Sequence, residues 1–216
     1  IYATMFLQEL AVGQSFRHCP LVLVNCIDSN NGHPAIIPDD VAGGYAATTE
    51  LLRLGHRRIA FLSLFDQMPA TQMRTRGYRK ALLEAGVDFD PDLLHVGVCE
   101  NRDDEFETLP AILDRLFAGA APPTAILCGN DKMAMRVYFL LRSRMNLQIP
   151  DDVSVVGYDD YRLISTNLVP RLTTVALPYF EMGAAAARMA MADQLESRVE
   201  KVAGKLVVRQ STAAPG

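Results

Sequence analysis

The sequence has no basic excess. Its 21 Lys and Arg face 25 Asp and Glu, a formal net charge of −4 over 216 residues. A nucleic-acid groove and a surface lying on anionic lipid both need surplus positive charge, so neither is expected of this chain. No apolar run approaches the roughly 20 residues that cross a bilayer, and no membrane partner is expected. Cysteine is scarce: Cys19, Cys26, Cys99 and Cys128 lie far apart, without the spacing of metal ligands. Three of them sit in or beside apolar runs, as buried, reduced thiols of a cytoplasmic protein would. Four histidines (His18, His33, His56, His95) are scattered, with no i, i+4 pair to hold a metal. Also missing are GxxxxGK[ST], GxGxxG, HExxH and GxSxG, which cradle phosphates, bind dinucleotides, hold zinc or present a nucleophile. Asp159 and Asp160 could resemble an acid–base pair, but adjacent residues at a strand end point apart. No enzyme, cofactor or metal is expected.

What remains is globular. Half of the residues are hydrophobic and 21% are charged, enough for one large core or two small ones. Short β-branched runs alternate with helix-like segments. Strands are expected at 1–5, 21–26, 57–64, 93–98, 124–129, 152–157, 173–177 and 205–212. Helices are expected at 8–16, 41–54, 71–85, 104–117, 131–145 and 178–195, and 27–38 and 160–172 are expected as loops. Gly55 and Gly86 stand where helices should close. This alternation predicts an α/β fold of parallel sheets with helices on both faces.

In open parallel sheets, ligands bind beyond the carboxyl ends of the strands. Polar residues recur there: Asn25 after "LVLV", Asp66 after "IAFLSLF", Asn130 and Asp131 after "AILCG", Asp159 and Asp160 after "VSVVGY". Asp40 and Asp131 read most simply as helix caps, because helices start directly after them. Arg74 and Tyr78 are one turn apart near the start of a helix. A first-turn arginine beside a strand end can point back over the crevice, where its fixed donors suit hydroxyls or a carboxylate. An acid, an amide and a guanidinium together suit a polyol, and an aromatic ring such as Phe65, Phe106 or Tyr158 would cover a sugar's apolar face.

These motifs resemble the ligand-binding core of the lactose/galactose-repressor (LacI/GalR) family of transcription regulators. Six blocks follow in order: "PDDVAGGYAATTELLRLGHRRIAFL" (38–62), "RTRGYRKAL" (74–82), "PTAILCGNDKMAM" (123–135), "IPDDVSVVGYDD" (149–160), "VPRLTTVALPYFEMG" (169–183) and "LVVRQST" (206–212). The resemblance implies a periplasmic-binding-protein-like type I fold of two doubly wound parallel-sheet lobes joined by three crossover strands. The lobes are expected at 1–55 (incomplete at its N-terminus) with 177–203, and at 56–176 with 204–216. By motif position it implies effector contacts from Arg74, Asn130 and Asp159, with Asp39 and Phe106 as further candidates. It also implies a homodimer, and operator DNA read only through a helix-turn-helix headpiece expected upstream of Ile1. Met68, Pro69 and Ala70 stand where purine-binding members are more polar, so a sugar or sugar phosphate is expected rather than a purine. The competing expectation is a solute-binding protein of the same fold, serving a transporter or chemoreceptor.

Overall fold

In the computed structural model, residues 1–13, 16, 20–30, 32–99, 103–192 and 195–216 are described. Two sheets organise them. The first contains β1 (Tyr2–Leu10), β2 (Leu23–Asp28), β3 (Ala35–Pro38) and β9 (Val199–Val202), in that order and all parallel. The second has the order β10-β8-β7-β6-β4-β5: Lys205–Val207, Thr173–Ala176, Ser154–Asp159, Ala125–Cys128, Ile59–Ser63 and Leu94–Val96. All its neighbours are parallel except β10, which runs antiparallel to β8. Central strands such as β4 (IAFLS) are buried along their whole length, which explains their unbroken apolar runs.

Helices α1 (Asp40–Arg53) and α2 (Pro69–Glu84) cover one face of the second sheet. The other face is covered by α3 (Leu109–Phe117) and α4 (Asp131–Arg144). Ala47, Leu51, Tyr78 and Leu82 meet Phe61, Val156 and Val175 on the first face, while Leu113, Val137 and Leu141 meet Leu62, Ile126 and Val155 on the second. Each such side chain contributes roughly 1.5–3 kcal/mol when fully buried, so this lobe carries the larger core. In the four-stranded lobe, α6 (Tyr179–Ala190) lays Met182 and Ala186 on Val22 and Ile36.

The fold class matches the expected one, and several elements differ in detail. β1 runs on to Leu10, through residues expected to open a helix. β3 lies inside the segment expected as a loop, where tertiary pairing with β2 and β9 overrides the flanking Pro and Gly. β9 had no expected counterpart. The last strand ends at Val207. A one-turn helix, α5 (Arg162–Ser165), occupies the segment expected as irregular.

The chain changes sheets at three places. It passes from β3 to α1 between Pro38 and Asp40, from β8 to α6 between Ala176 and Tyr179, and from β9 to β10 between Val202 and Lys205. Helix α1 packs on the six-stranded sheet, so the first change falls well before residue 55, where the lobe boundary was expected. The three passages touch. Asp39 N–H donates to the Val202 carbonyl at 2.8 Å. A Cβ on Gly204 would lie 2.4 Å from the Ala176 oxygen, so only glycine permits that approach.

Candidate functional site

The carboxyl end of β7 lies beside the second passage, where Leu177 N–H reaches the Asp159 carbonyl at 3.4 Å, and the sequence supplies charge there. Arg74 projects from α2 and is only 6% exposed. Its Nε donates to Asp40 Oδ1 at 2.8 Å and its Nη1 to the Gly129 carbonyl at 2.7 Å, past the end of β6. Its guanidinium lies 3.7 Å from the centre of the Tyr158 ring, within the range of a cation–π contact. Burial alone would lower the Arg74 pKa, but Asp40, Tyr158 and Asp159 outweigh it and raise it, so the charge is secure.

Helix packing sets this cluster. A Cβ on Gly44 would fall 2.4 Å from the Arg74 carbonyl oxygen, and one on Gly77 would fall 2.2 Å from the Val41 oxygen. The α1 and α2 backbones therefore cross in direct contact, which brings Asp40 to Arg74. The ring of Tyr158 fills the space above Gly43.

Asp159 ends β7 with φ 110, and Asp160 follows with φ 51. Left-handed backbone at two successive non-glycine residues is strained by about 1–3 kcal/mol each, a cost often found where a fold holds a ligand. Burial pushes the Asp159 carboxyl up to about 6, with Arg74 opposing and Asp40 reinforcing. Asp160 is tied back by Arg209 and Ser165, each at 2.7 Å.

The helix starts reverse an expectation. Asp39 and Asn130 are the caps: Asp39 Oδ1 accepts from Ala42 N–H at 3.0 Å, and Asn130 Oδ1 accepts from Met133 N–H at 2.8 Å. Asp40 and Asp131, expected as caps, are fully buried one position later. Asp131 accepts from Thr174 Oγ1 and from Tyr161 N–H, each at 2.7 Å, and so ties α4 to β8 and α5. Burial pushes it up to about 7, against those two hydrogen bonds and with Asp159 and Asp160 adding to the rise.

The structure thus brings Arg74 and Asp159 together, with Asn130 one residue beyond the carbonyl that Arg74 holds. Asp39 stands beside Asp40 at the first sheet change. Phe106 makes no contact with Arg74 or Asp159 that defines the cluster; it is 7% exposed, packed with Val98, Leu109 and Met133. One further residue belongs to the cluster and a second, half-exposed, lies near it. Asp40 was hidden as a supposed cap. Tyr179, the first residue of α6, lies within electrostatic reach of Asp159, Arg74 and Asp40; burial, then Asp159, raises its hydroxyl. The only sequence signal for Tyr179 is an aromatic residue directly after Pro178. Among the described residues, no group of three or more His, Cys, Asp or Glu is placed to hold a metal.

Comparison with known proteins gives a consistent picture. A family model described as a periplasmic binding protein-like domain matches residues 48–212. The sucrose operon repressor of Escherichia coli is 31% identical over 98% of this chain and 63% of its own length. The chain thus spans less than two thirds of that relative. The structure of a putative LacI-family transcriptional regulator from Rhizobium etli superposes with a TM-score of 0.85 at 30% identity, over 98% of this chain and 77% of that one. A LacI-family regulator from Enterococcus faecium with bound ribose gives a TM-score of 0.72 at 26% identity, over 89% of this chain and 70% of that one.

Proposed function

The chain belongs to the family of periplasmic binding protein-like domains, as the ligand-binding core of a LacI-family regulator, and on that premise we propose that it senses a small sugar-like effector. The single observation that carries this reading is the Arg74–Tyr158–Asp159 cluster at the carboxyl ends of β6 and β7, beside all three sheet changes. A ligand seated there touches the second lobe directly and lies against the passages that set the lobe angle. Hinges of this kind need only a few positions that absorb rotation, and a ligand shifts the lobe equilibrium by its differential affinity for the two states. Asp159 accepts from hydroxyls, and Arg74 donates. The name of the sucrose operon repressor and the ribose in the Enterococcus structure support a carbohydrate. The relatives are transcriptional regulators, not enzymes.

In the full-length regulator, the effector would act on operator binding by a DNA-reading headpiece in a homodimer. The pairing surface that supports this is the outer face of α4 and α5. Met135, Phe139, Leu163 and Val169 are exposed there, and Phe139 and Val169 line a groove of about 440 Å³. Exposed apolar patches of this kind mark association surfaces. Arg142 lines the same groove, Arg162 lies on α5, and Asp104 is joined to α4 by Arg136. Charges of both signs suit a two-fold, self-complementary contact. No described helix is long and apolar enough to cross a membrane; a cytoplasmic location is part of the same proposal.

The experiment is a thermal-shift screen of neutral sugars and purines, followed by calorimetry on each hit. A ligand at 100 times its dissociation constant adds about 2.7 kcal/mol of stability. A carbohydrate that shifts the wild type and fails on Arg74→Lys supports the reading, because a point charge cannot replace the planar fork. A shift with purines and none with any carbohydrate refutes it.

A further inference from the structure

The cleft presents Arg74 with more negative charge than Arg74 supplies. Asp40 is wholly buried and holds Nε of the guanidinium at 2.8 Å. Asp159 acts on the same guanidinium from the end of β7. Asp39 stands beside them as the cap of α1. The other cations nearby are committed or solvated: Arg209 holds Asp160 and the Leu172 carbonyl, and Lys132, exposed on α4, acts on Asp159 less than Arg74 does and leaves Arg74 the buried cation of the site. One positive charge therefore faces at least two carboxylates.

Asp40 cannot be moved aside cheaply. It is the first residue of α1, fixed where α1 and α2 cross backbone to backbone at Gly44 and Gly77. Two of the five guanidinium donors are taken, one by Asp40 and one by the Gly129 carbonyl. A hydroxyl can accept from the remaining donors without disturbing the pair. A phosphate or carboxylate has to displace Asp40 or lie close to two like charges in a buried site, where screening by salt is weak.

The geometry points to Asp40 as a charge filter: by holding the guanidinium of Arg74 it withdraws that cation from the ligand, confines the effector to uncharged, hydroxyl-rich molecules and refuses phosphorylated or carboxylated ones. This narrows the sugar-sensing reading above and rests on its placement of the cleft. It also narrows the expectation of a sugar or sugar phosphate to the unphosphorylated class.

The test uses inorganic phosphate as an anion probe, so it does not depend on knowing the effector. Calorimetry and phosphorus NMR line widths are measured on the wild type, on Asp40→Asn and on the double variant Asp40→Asn, Arg74→Gln. Asparagine keeps an oxygen to accept from Arg74 while removing the charge. Phosphate should bind Asp40→Asn at least about tenfold more tightly than the wild type, and the double variant should lose that gain. A wild type that binds phosphate as tightly as Asp40→Asn overturns the filter. So does a folded Asp40→Asn that gains nothing, or a gain that survives loss of Arg74. Should Asp40→Asn melt non-cooperatively, Asp40→Ser removes the same charge with a smaller side chain and is read against the same outcomes. A parallel arm compares neutral hexoses with their phosphate esters on the wild type. Binding of the ester over the neutral sugar overturns the filter. Failure of every neutral sugar counts against the sugar-sensing reading, while the phosphate arm still decides the filter.

Discussion

At the scale of single residues, two acids at the sheet edge differ in consequence. On the proposed function, Asp159 would accept from effector hydroxyls. Replacing it with alanine should weaken effector binding by roughly 1.5–3 kcal/mol, the range of a charge-assisted hydrogen bond. Unchanged affinity by calorimetry would remove Asp159 from the site. Asp131 affects the stability of the fold. Its folded pKa of about 7 stands above the ordinary value of 3.8. Between those values the native state holds a proton that the unfolded chain has released. This group's contribution to stability is therefore complete below about pH 4 and is lost as pH rises through 7. The urea midpoint should fall over that window, with a smaller share from Asp159, whose folded value is about 6. Asp131→Asn should flatten the fall. An amide can still accept from Tyr161 N–H and donate to Thr174 Oγ1, so the variant should fold. A pH profile as steep as that of the wild type would show that the slope arises elsewhere.

Among the elements, the α1–α2 crossing matters most to the site. Gly44 and Gly77 let the two backbones touch, and that contact places Asp40 against Arg74. A Cβ on Gly77 would meet the Val41 oxygen at 2.2 Å and the Tyr45 nitrogen at 2.5 Å. Both are backbone atoms of a buried helix and cannot swing away. Gly77→Ala should raise helix propensity and still lower stability, by about 1–3 kcal/mol or more, because overpacking outweighs the propensity gain of up to about 1 kcal/mol. It should also weaken effector binding, since the helices must separate. Urea unfolding measures the first effect and calorimetry the second. A stabilised Gly77→Ala protein would mean that the crossing is looser than the structure shows.

For the whole molecule, the questions are pairing and lobe motion. In the proposed dimer, Phe139 lies at the centre of the exposed patch, itself 60% exposed. Phe139→Glu should convert a dimer into a monomer in sedimentation, with little effect on monomer stability, because the side chain already stands in solvent. A variant that remains dimeric would place the contact elsewhere. Lobe motion would act through the three passages packed on one another at Asp39, Ala176, Val202 and Gly204.

By itself the sequence determined the α/β alternation, most strand and helix positions in the second lobe, and the order of the six motif blocks. Local chemistry suffices for these: short unbroken apolar runs between turn residues suit strands buried on both faces, and Gly55 and Gly86, at φ 103 and 66, mark helix ends. Asp159 stood out by its strand-end position and Arg74 by its place near a helix start, and the structure brings the two side chains together; their contact with an effector is the proposal. Tertiary structure decided what neighbours in the chain do differently. Asp39 and Asp40 look alike in sequence, as do Asn130 and Asp131 as helix starters. A step of one residue at a helix start turns a side chain by about 100°, so the first of each pair caps and the second is buried. Which of the two meets Arg74 or Thr174 depends on a helix crossing and a strand pairing remote in sequence. β3 and β9 are strands of four residues, each too short for its own periodicity to show, and they form because each completes the other's hydrogen bonds. Phe106 carries the aromatic character of a sugar platform, and its burial in the core with Val98 and Leu109 could be known only from the packing. Tyr179, distant in sequence from Arg74 and Asp159, comes within their electrostatic reach because the chain changes sheets there.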